Sequence, residues 1–472
     1  MKGNTSMKYE GHKVSGIRLA YIGGGSRGWA WKFMTDLAME PSMSGEVVLY
    51  DIDRPAAEAN MIIGSKIDAM PATVGHWRYD LAGTLQEALT GADFVVISIL
   101  PGTFDEMEVD VHLPERLNIW QSVGDTAGPG GIIRALRTLP MYVPIADAIR
   151  DYCPDAWVIN YTNPMALCVK VLYHVFPRIK AFGCCHEVFG TQKLLAAVAA
   201  KKMGIPTPQR RDIHVNVLGI NHFTWFDEAS YEGVDLFPVY REYVDEHFEE
   251  GFTDPEHPWS ASTYDCAHRV KFDLFRRFGY IAAAGDRHLA EFMPGDEYLR
   301  DRSTVTGWKY SLTPVRDRKD DLKDRLEKSR ALVSGEREVE LEPSGEEGIL
   351  LIKALAGLGR MVSNVNLPNG GQIPNLPMGA VVETNAVFTK DSVRPVLAGA
   401  VPEDLKALIL PHIENHKLTL QAALSCDREP VVQAFLNDPN VKAKCTDEAA
   451  IRSLVDDMIA GTAKYLPDGW RQ

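Results

Sequence analysis

Over its first two hundred residues the chain alternates short apolar runs with amphipathic stretches. Residues 17–22 (IRLAYI) form an apolar run that stops at Gly23-Gly24-Gly25-Ser26-Arg27-Gly28. A helical pattern follows (Trp29, Phe33, Leu37, Ala38), and a second run, Val47-Val48-Leu49-Tyr50, ends at Asp51. The alternation continues with a helix from Pro55 to about Met70, a short strand at 77–79, and a helix opened by the capping-box spacing of Thr84 and Glu87. Residues 92–100 are apolar on both faces, as a buried parallel strand requires. A long helix over 132–152, a strand at 157–161, a helix over 164–176 and a strand at 181–185 complete about six strands. This order predicts an α/β fold, a Rossmann-like doubly wound parallel sheet, over residues 17–210.

Beyond residue 210 the pattern changes. Residues 215–226 read as consecutive strand segments, and helices are expected near 344–361, 402–425 and 446–462. The charged stretch 316–331 has helical spacing and reads as a solvated helix without a binding role. A turn-rich loop over 364–377 precedes a strand at 380–384 and suits a site wall or a subunit contact. Residues 211–465 are therefore expected to form a C-terminal α+β domain packed on the first.

Composition narrows the function. The chain has 472 residues, 45% of them hydrophobic, which suits folded globular structure. Its net charge of −14 repels polyanions, so neither nucleic acid nor an anionic membrane is an expected partner. No apolar run is long enough to span a bilayer, residues 1–16 lack the apolar stretch of a signal peptide, and seven scattered cysteines do not form a disulfide framework. A cytoplasmic location is expected.

Candidate chemistry sits where a parallel-sheet enzyme places it, at strand ends. Gly23 allows a tight turn, Gly25 a close approach of backbone to a pyrophosphate, and Gly28 close packing of helix on strand. Asp51 is placed to accept ribose hydroxyls and would repel a 2′-phosphate, which favours NAD over NADP. Asn160-Tyr161-Thr162-Asn163-Pro164 brings two carboxamides to one strand end, and Gly183-Cys184-Cys185-His186-Glu187 and Gly219-Ile220-Asn221-His222 occupy two others. A glycine-rich loop over 124–131 offers backbone amides to an anion or a sugar. Cys185 and His222 are open to two readings: ligands of one divalent metal, or a buried thiol and a packed histidine. Cys184, one position along, is expected to point into the core. In Gly285-Asp286-Arg287-His288-Leu289-Ala290-Glu291, Asp286 suits a proton acceptor and Arg287 a carboxylate clamp; the alternative is a salt-bridged helix start.

Together GGGSRG, NYTNP, GCCHEVFG, GINHF, GDRHLAE and NLPNGGQIPNLP resemble family 4 glycoside hydrolases, over about residues 17 to 465 and in family order. SILPG, QSVGDTAGPGGIIRALR and AAGDRHLAEF are most similar to the bacterial α-galacturonidase branch. The resemblance implies a lactate/malate dehydrogenase-like fold, NAD and Mn²⁺ (or another divalent metal) as cofactors, and a homo-oligomer, dimer or tetramer. It implies hydrolysis of α-glycosides, most closely α-galacturonides, by transient oxidation at C3, metal-assisted deprotonation at C2, elimination and re-addition. On this footing Gly23, Gly25, Ser26, Gly28 and Asp51 bind the cofactor, and Cys185 and His222 bind the metal. Asn160, Asn163, Arg134, Arg287 and His288 meet the sugar, with Arg287 or Arg134 on a uronate carboxylate. Asp286 (or Tyr280, the nearest phenol) is the base and His186 the acid. The His186-Glu187-Val188 sequence after the cysteine argues against a 6-phosphate substrate. An α-glucosidase or α-glucuronidase of the same family, an NAD-dependent hydroxy-acid dehydrogenase and a non-catalytic NAD-binding regulator are the alternatives.

Overall fold

A computed structural model describes residues 7–253 and 258–471; residues 1–6, part of the segment screened for a signal peptide, lie outside it. Six parallel strands build the central sheet, in the spatial order Trp77–Leu81, Met43–Tyr50, Lys13–Ile22, Phe94–Ile97, Trp157–Asn160, Lys180–Gly183. Numbered along the chain this is 3-2-1-4-5-6, the dinucleotide-binding arrangement. Phe94–Ile97 is buried at every position, as a central strand covered on both faces must be. Helices Trp29–Ala38 and Arg54–Asp68 lie among the crossovers of the first half, and Gly128–Tyr152 in the second.

The second half of the chain extends this same sheet. Strand Met361–Pro368 pairs antiparallel with Lys180–Gly183 through Asn366 opposite Gly183, and then with Val381–Thr389, placing Asn366 opposite Glu383. The sequence pattern read 364–377 as loop, but its first residues belong to this strand: its alternation is masked because Ser363, Asn364 and Asn366 are polar yet buried. A separate antiparallel sheet holds His214–Ile220 and Phe223–Tyr231, joined by a turn at Asn221-His222. Helices Glu403–Ser425, Arg428–Asn437 and Glu448–Thr462 share one apolar core with Gly128–Tyr152, so residues such as Leu136, Ile149, Phe435 and Leu454 pack as one body. No helix among the described residues is long and apolar enough to cross a membrane.

Asp438 ties the C-terminal helices to the site-bearing loop. It is 1% exposed, its Oδ1 accepts the Asn440 and Val441 amides, and its Oδ2 has no partner; together with His412 and Thr126 it lines a small cavity beside Gly128. Burial pushes its carboxyl from 3.8 up to about 7. A raised carboxyl pKa means that its contribution to stability is fully present below about pH 4 and is lost as pH rises through about 7. Asp438→Asn keeps the accepting oxygen without the charge. Its thermal unfolding should match the parent near pH 4 and exceed it at pH 8 by about 1–3 kcal/mol, the range for a buried polar group left unsatisfied; equal stability at pH 8 would remove this reading of Asp438.

Candidate active site

The nucleotide end of the sheet is shaped by its glycines and by one asparagine. Gly23 has φ 92°, and a Cβ there would lie 2.0 Å from the Ser98 carbonyl oxygen, so strand end and loop meet backbone to backbone. Gly25 N donates to Asp51 Oδ2 (2.9 Å), and a Cβ on Gly25 would strike both Asp51 and Ala56. Asp51 Oδ1 accepts the Asp53 amide, so the acid fixes the loop while its remaining lone pairs stay free for a ligand. Gly28 serves a purpose other than helix–strand packing: its φ is 131°, and the atom facing its missing Cβ is Arg325 Nη1 at 3.2 Å. Asn60, fully buried, accepts from Trp31 Nε1 and donates to the carbonyls of Gly24 (2.7 Å) and Ser26 (3.0 Å). The sequence reading missed it, because a lone asparagine inside an amphipathic helix carries no signal until its helix is docked.

Cys185 and His222 are brought together. Lys180–Gly183 ends just before the cysteine pair, Cys184 packs against the apolar core, and Cys185 Sγ lies 3.2 Å from His222 Nε2. His222 sits in the turn between its two strands with φ 63°, a strained position for a residue with a side chain. The other ring nitrogen, Nδ1, is 2.9 Å from Thr126 Oγ1, which is 2.7 Å from Asp125 Oδ1. An ionised Asp125 only accepts, so the threonine hydroxyl donates to it and accepts from His222 Nδ1–H. The Nε2 lone pair therefore faces the cysteine, the tautomer a metal ligand needs.

Further donors close round the pair. The His288 ring centre is 3.8 Å from that of His222, and ligand atoms of Asp125, His222 and His288 lie within 4.8 Å of one another. Glu187 Oε2 accepts the Gly285 amide, and its Oε1 is 3.8 Å from His288 Nε2. Glu383 accepts from Asn221 and from Asn364, and Asn364 also donates to the Cys185 carbonyl, so the distant strand Val381–Thr389 anchors the cysteine. Burial, then Glu383 and Glu187, push the Cys185 thiol well above its ordinary value. Burial and then His288 hold His222 down, to about 3. Burial alone would raise Glu187, but His288, His222 and His186 outweigh it and bring it to about 2. For Asp125 burial is likewise outweighed by His288, His222 and Arg134, and it stays below the usual carboxylate range. A neutral imidazole and a thiol beside two ionised carboxylates form a donor set that a soft-to-borderline divalent cation fits.

The remaining sequence candidates divide. Asn163 belongs to the site: its Nδ2 donates to Asp125 Oδ2 (3.2 Å), its Oδ1 is buried without a partner, and its carbonyl accepts from Arg134 Nε (3.1 Å). Asn160 does not, since it is fully buried, with Oδ1 accepting from Tyr142 and Nδ2 donating to the Thr162 carbonyl. Asp286 is also fully buried, and its oxygens accept the Val270 (3.2 Å) and Lys271 (3.1 Å) amides at the start of helix Arg269–Phe278. Its ligand atom groups with those of Cys266 and His268 and not with those of Asp125, His222 and His288. Arg287 turns to the Ser122 carbonyl and Thr313 Oγ1. His186 is half-exposed, 3.3 Å from Glu346 Oε1 and tilted on Trp29. Tyr280 packs at the edge of the apolar cluster containing Phe292. Asp125, Thr126, Glu187 and Glu383 had no individual site role in the sequence reading, which saw the 124–131 loop only as a source of amides and Glu187 only within the motif that argues against a 6-phosphate substrate.

Comparison with known proteins agrees with this geometry. The model described as family 4 glycosyl hydrolase matches residues 18–201, and that of the family's C-terminal domain matches 217–441. An alpha-galacturonidase of Lachnoclostridium phytofermentans is 63% identical over 98% of this chain and all of its own, and one of Bacillus subtilis is 52% identical over 94% and 97%. A crystal structure of a Bacillus subtilis protein described as a glucosidase superposes with a TM-score of 0.90 at 52% identity, covering 94% of this chain and all of that one. A 6-phospho-alpha-glucosidase from gut microorganisms, solved with NAD and Mn²⁺, shares the fold at a TM-score of 0.79 and 20% identity, over 96% and 99%. With a dinucleotide-type sheet, a cysteine–histidine pair at its carboxyl edge and matches running across both halves, the chain belongs to glycosyl hydrolase family 4.

Proposed function

We propose that the chain hydrolyses α-galacturonides, with NAD and a divalent cation such as Mn²⁺ as cofactors. The observation that carries this reading is the 3.2 Å approach of Cys185 Sγ to His222 Nε2, with the unpartnered Asn163 Oδ1 held beside it through Asp125. The names of the closely similar relatives, alpha-galacturonidases of full length, point to the substrate. When bound, NAD supplies a reversible hydride acceptor for the sugar's C3 hydroxyl, and the cation supplies charge beside the neighbouring oxygens.

Cys185 and His222 would hold the cation, with Asp125 and Glu187 near enough to balance its charge. Gly23, Gly25, Ser26, Gly28 and Asp51 would hold the nucleotide, and Asn163 would accept a hydrogen bond from a sugar hydroxyl. His288, which burial keeps neutral and whose Nδ1 lacks a partner, is the group beside the pair able to take the C2 proton, because Asp286 is engaged by backbone amides. His186 is held more basic by its hydrogen bond to Glu346, which outweighs the opposing effect of partial desolvation, and stays the acid assigned to the leaving group. The chain is also proposed to form a homo-oligomer; Met378 and Leu397, each 71% exposed, are apolar candidates for its contact.

The test is a panel of aryl α-galacturonide, α-glucuronide, α-glucoside and α-galactoside, assayed with NAD, Mn²⁺ and a reductant in heavy water. Galacturonide should turn over fastest, release a sugar carrying deuterium at C2, and leave no net NADH. Unlabelled sugar would exclude elimination at C2, and stoichiometric NADH would make the chain a dehydrogenase.

A further inference from the structure

Helix Val315–Ser334 bears charges on nearly every turn, and its pattern alone reads as a solvated face. One of its arginines breaks that pattern. The Nε of Arg318 is buried and has no hydrogen-bond partner, whereas its helix neighbours Lys319 and Lys323 are ion-paired to Asp105, Glu108 and Asp320. The Arg318 guanidinium lies 5.9 Å from the ring centre of Tyr264, and that of Arg287 lies 5.3 Å from the same ring. Arg287 Nε is likewise buried and unpartnered. A buried guanidinium and a partly exposed one thus flank one aromatic ring, and among the described residues neither forms an ion pair.

Their surroundings connect them to the site. Arg287 Nη2 donates to the Ser122 carbonyl (3.1 Å), and the Ser122 hydroxyl donates back to the Arg287 carbonyl; three residues on, that loop reaches Asp125 and Thr126, which orient His222. Arg287 immediately precedes His288, whose tilted ring lies 3.8 Å, centre to centre, from that of His222. Arg318 is near enough to Arg134 and to Arg287 to disfavour the charge of each, after the larger effect of burial. The nearby acids do not pair directly with either arginine: Asp321 accepts from Tyr264 Oη (3.2 Å), and Glu291 accepts the Val123 and Gly124 amides on Oε1 while its Oε2 is buried without a partner, so Glu291 and Glu187 favour the Arg287 charge only from a distance. Packing cations together at a partly buried site is unfavourable until an anion arrives, and a guanidinium matches a carboxylate's two oxygens in shape and charge.

We propose that Arg318 and Arg287, flanking Tyr264, form the subsite that takes the C6 carboxylate of a uronic-acid sugar. This assigns acid-sugar recognition to a helix that lies outside the nucleotide sheet and its strand ends. It rests on the galacturonide reading for the identity of the ligand, but it is tested by binding, not turnover.

Calorimetric titration of the protein with free galacturonate and with galactose reads the subsite directly. The parent should bind galacturonate more tightly than galactose. Arg318→Met should weaken galacturonate about 10- to 100-fold, the scale of a charge-assisted hydrogen bond lost from a desolvated site, and leave galactose within about twofold. Arg318→Lys should recover part of the loss, because it keeps the charge without the fork. Lys323→Met, which removes an exposed charge of the same helix, should change neither. Equal weakening of both sugars by Arg318→Met, or equal weakening of galacturonate by Lys323→Met, would overturn the subsite, as would a parent that does not discriminate. If galacturonate binds as described but no α-galacturonide is hydrolysed, the subsite stands and the catalytic reading fails.

Discussion

Replacing Cys185 by serine is expected to lower kcat on an aryl α-galacturonide by about a thousandfold or more, while thermal stability and NAD binding stay near the parent values. The reason lies in how the thiol is held. Burial and two acidic neighbours, Glu383 and Glu187, keep it protonated when no cation is present. A divalent cation would displace that proton and gain a thiolate beside the His222 Nε2 lone pair, 3.2 Å away. A serine hydroxyl is a far weaker acid and a harder donor, so the cation loses its charged anchor and the sugar oxygens lose the cation's field. The fold should tolerate the exchange, because Asn364 grips the Cys185 backbone carbonyl and not its side chain. The measurements are metal titration, nucleotide titration and initial rates on one preparation. A serine variant that turns over at the parent rate after chelation would end the ligand assignment, whereas parallel losses of metal affinity and kcat would support it.

How much of this was legible in the sequence follows from which distances each residue's role depends on. The glycine turn and Asp51 lie within one strand–helix–strand unit, so local pattern was enough to place them. The parallel sheet was legible because its strands are apolar on both faces and are separated by helices. Cys185 and His222 were visible as unusual residues at strand ends, but only the family resemblance joined them, since 37 positions separate them along the chain. Glu383 depends on a register that no local pattern encodes: it faces Asn366, which faces Gly183 at the end of the cysteine's strand. Asp286 shows the opposite failure. Four ionisable groups in one short helix looked like a catalytic loop, yet successive helical residues point about 100° apart. His288 reaches His222, while Asp286 turns to the amides of a neighbouring helix. Arg318 was hidden by its charged neighbours, because exposure along a polar helix is decided by what docks against it.

Asp125→Asn is the second variant expected to have a large effect, about a hundredfold or more in kcat, and its cause would be one misplaced proton. Asn163 Nδ2 donates to Asp125 Oδ2, so an amide at this position keeps its carbonyl there and turns its NH₂ towards Thr126. The threonine oxygen then accepts from the amide, and its hydroxyl hydrogen points at His222 Nδ1. That nitrogen becomes an acceptor, and the ring proton moves to Nε2, the atom facing Cys185 Sγ. A protonated Nε2 cannot bind a cation, so metal affinity should fall with kcat although both ligating residues remain. Thr126→Val offers the complementary test: it leaves His222 Nδ1 without a partner, and the imidazole should lose its preference between the two tautomers. Nitrogen chemical shifts of His222 distinguish these outcomes, with the proton on Nδ1 in the parent, on Nε2 in Asp125→Asn, and shared in Thr126→Val. Finding it on Nδ1 in all three would show that the carboxylate acts only through its charge, and Asp125→Asn would then weaken the cation without redirecting the histidine.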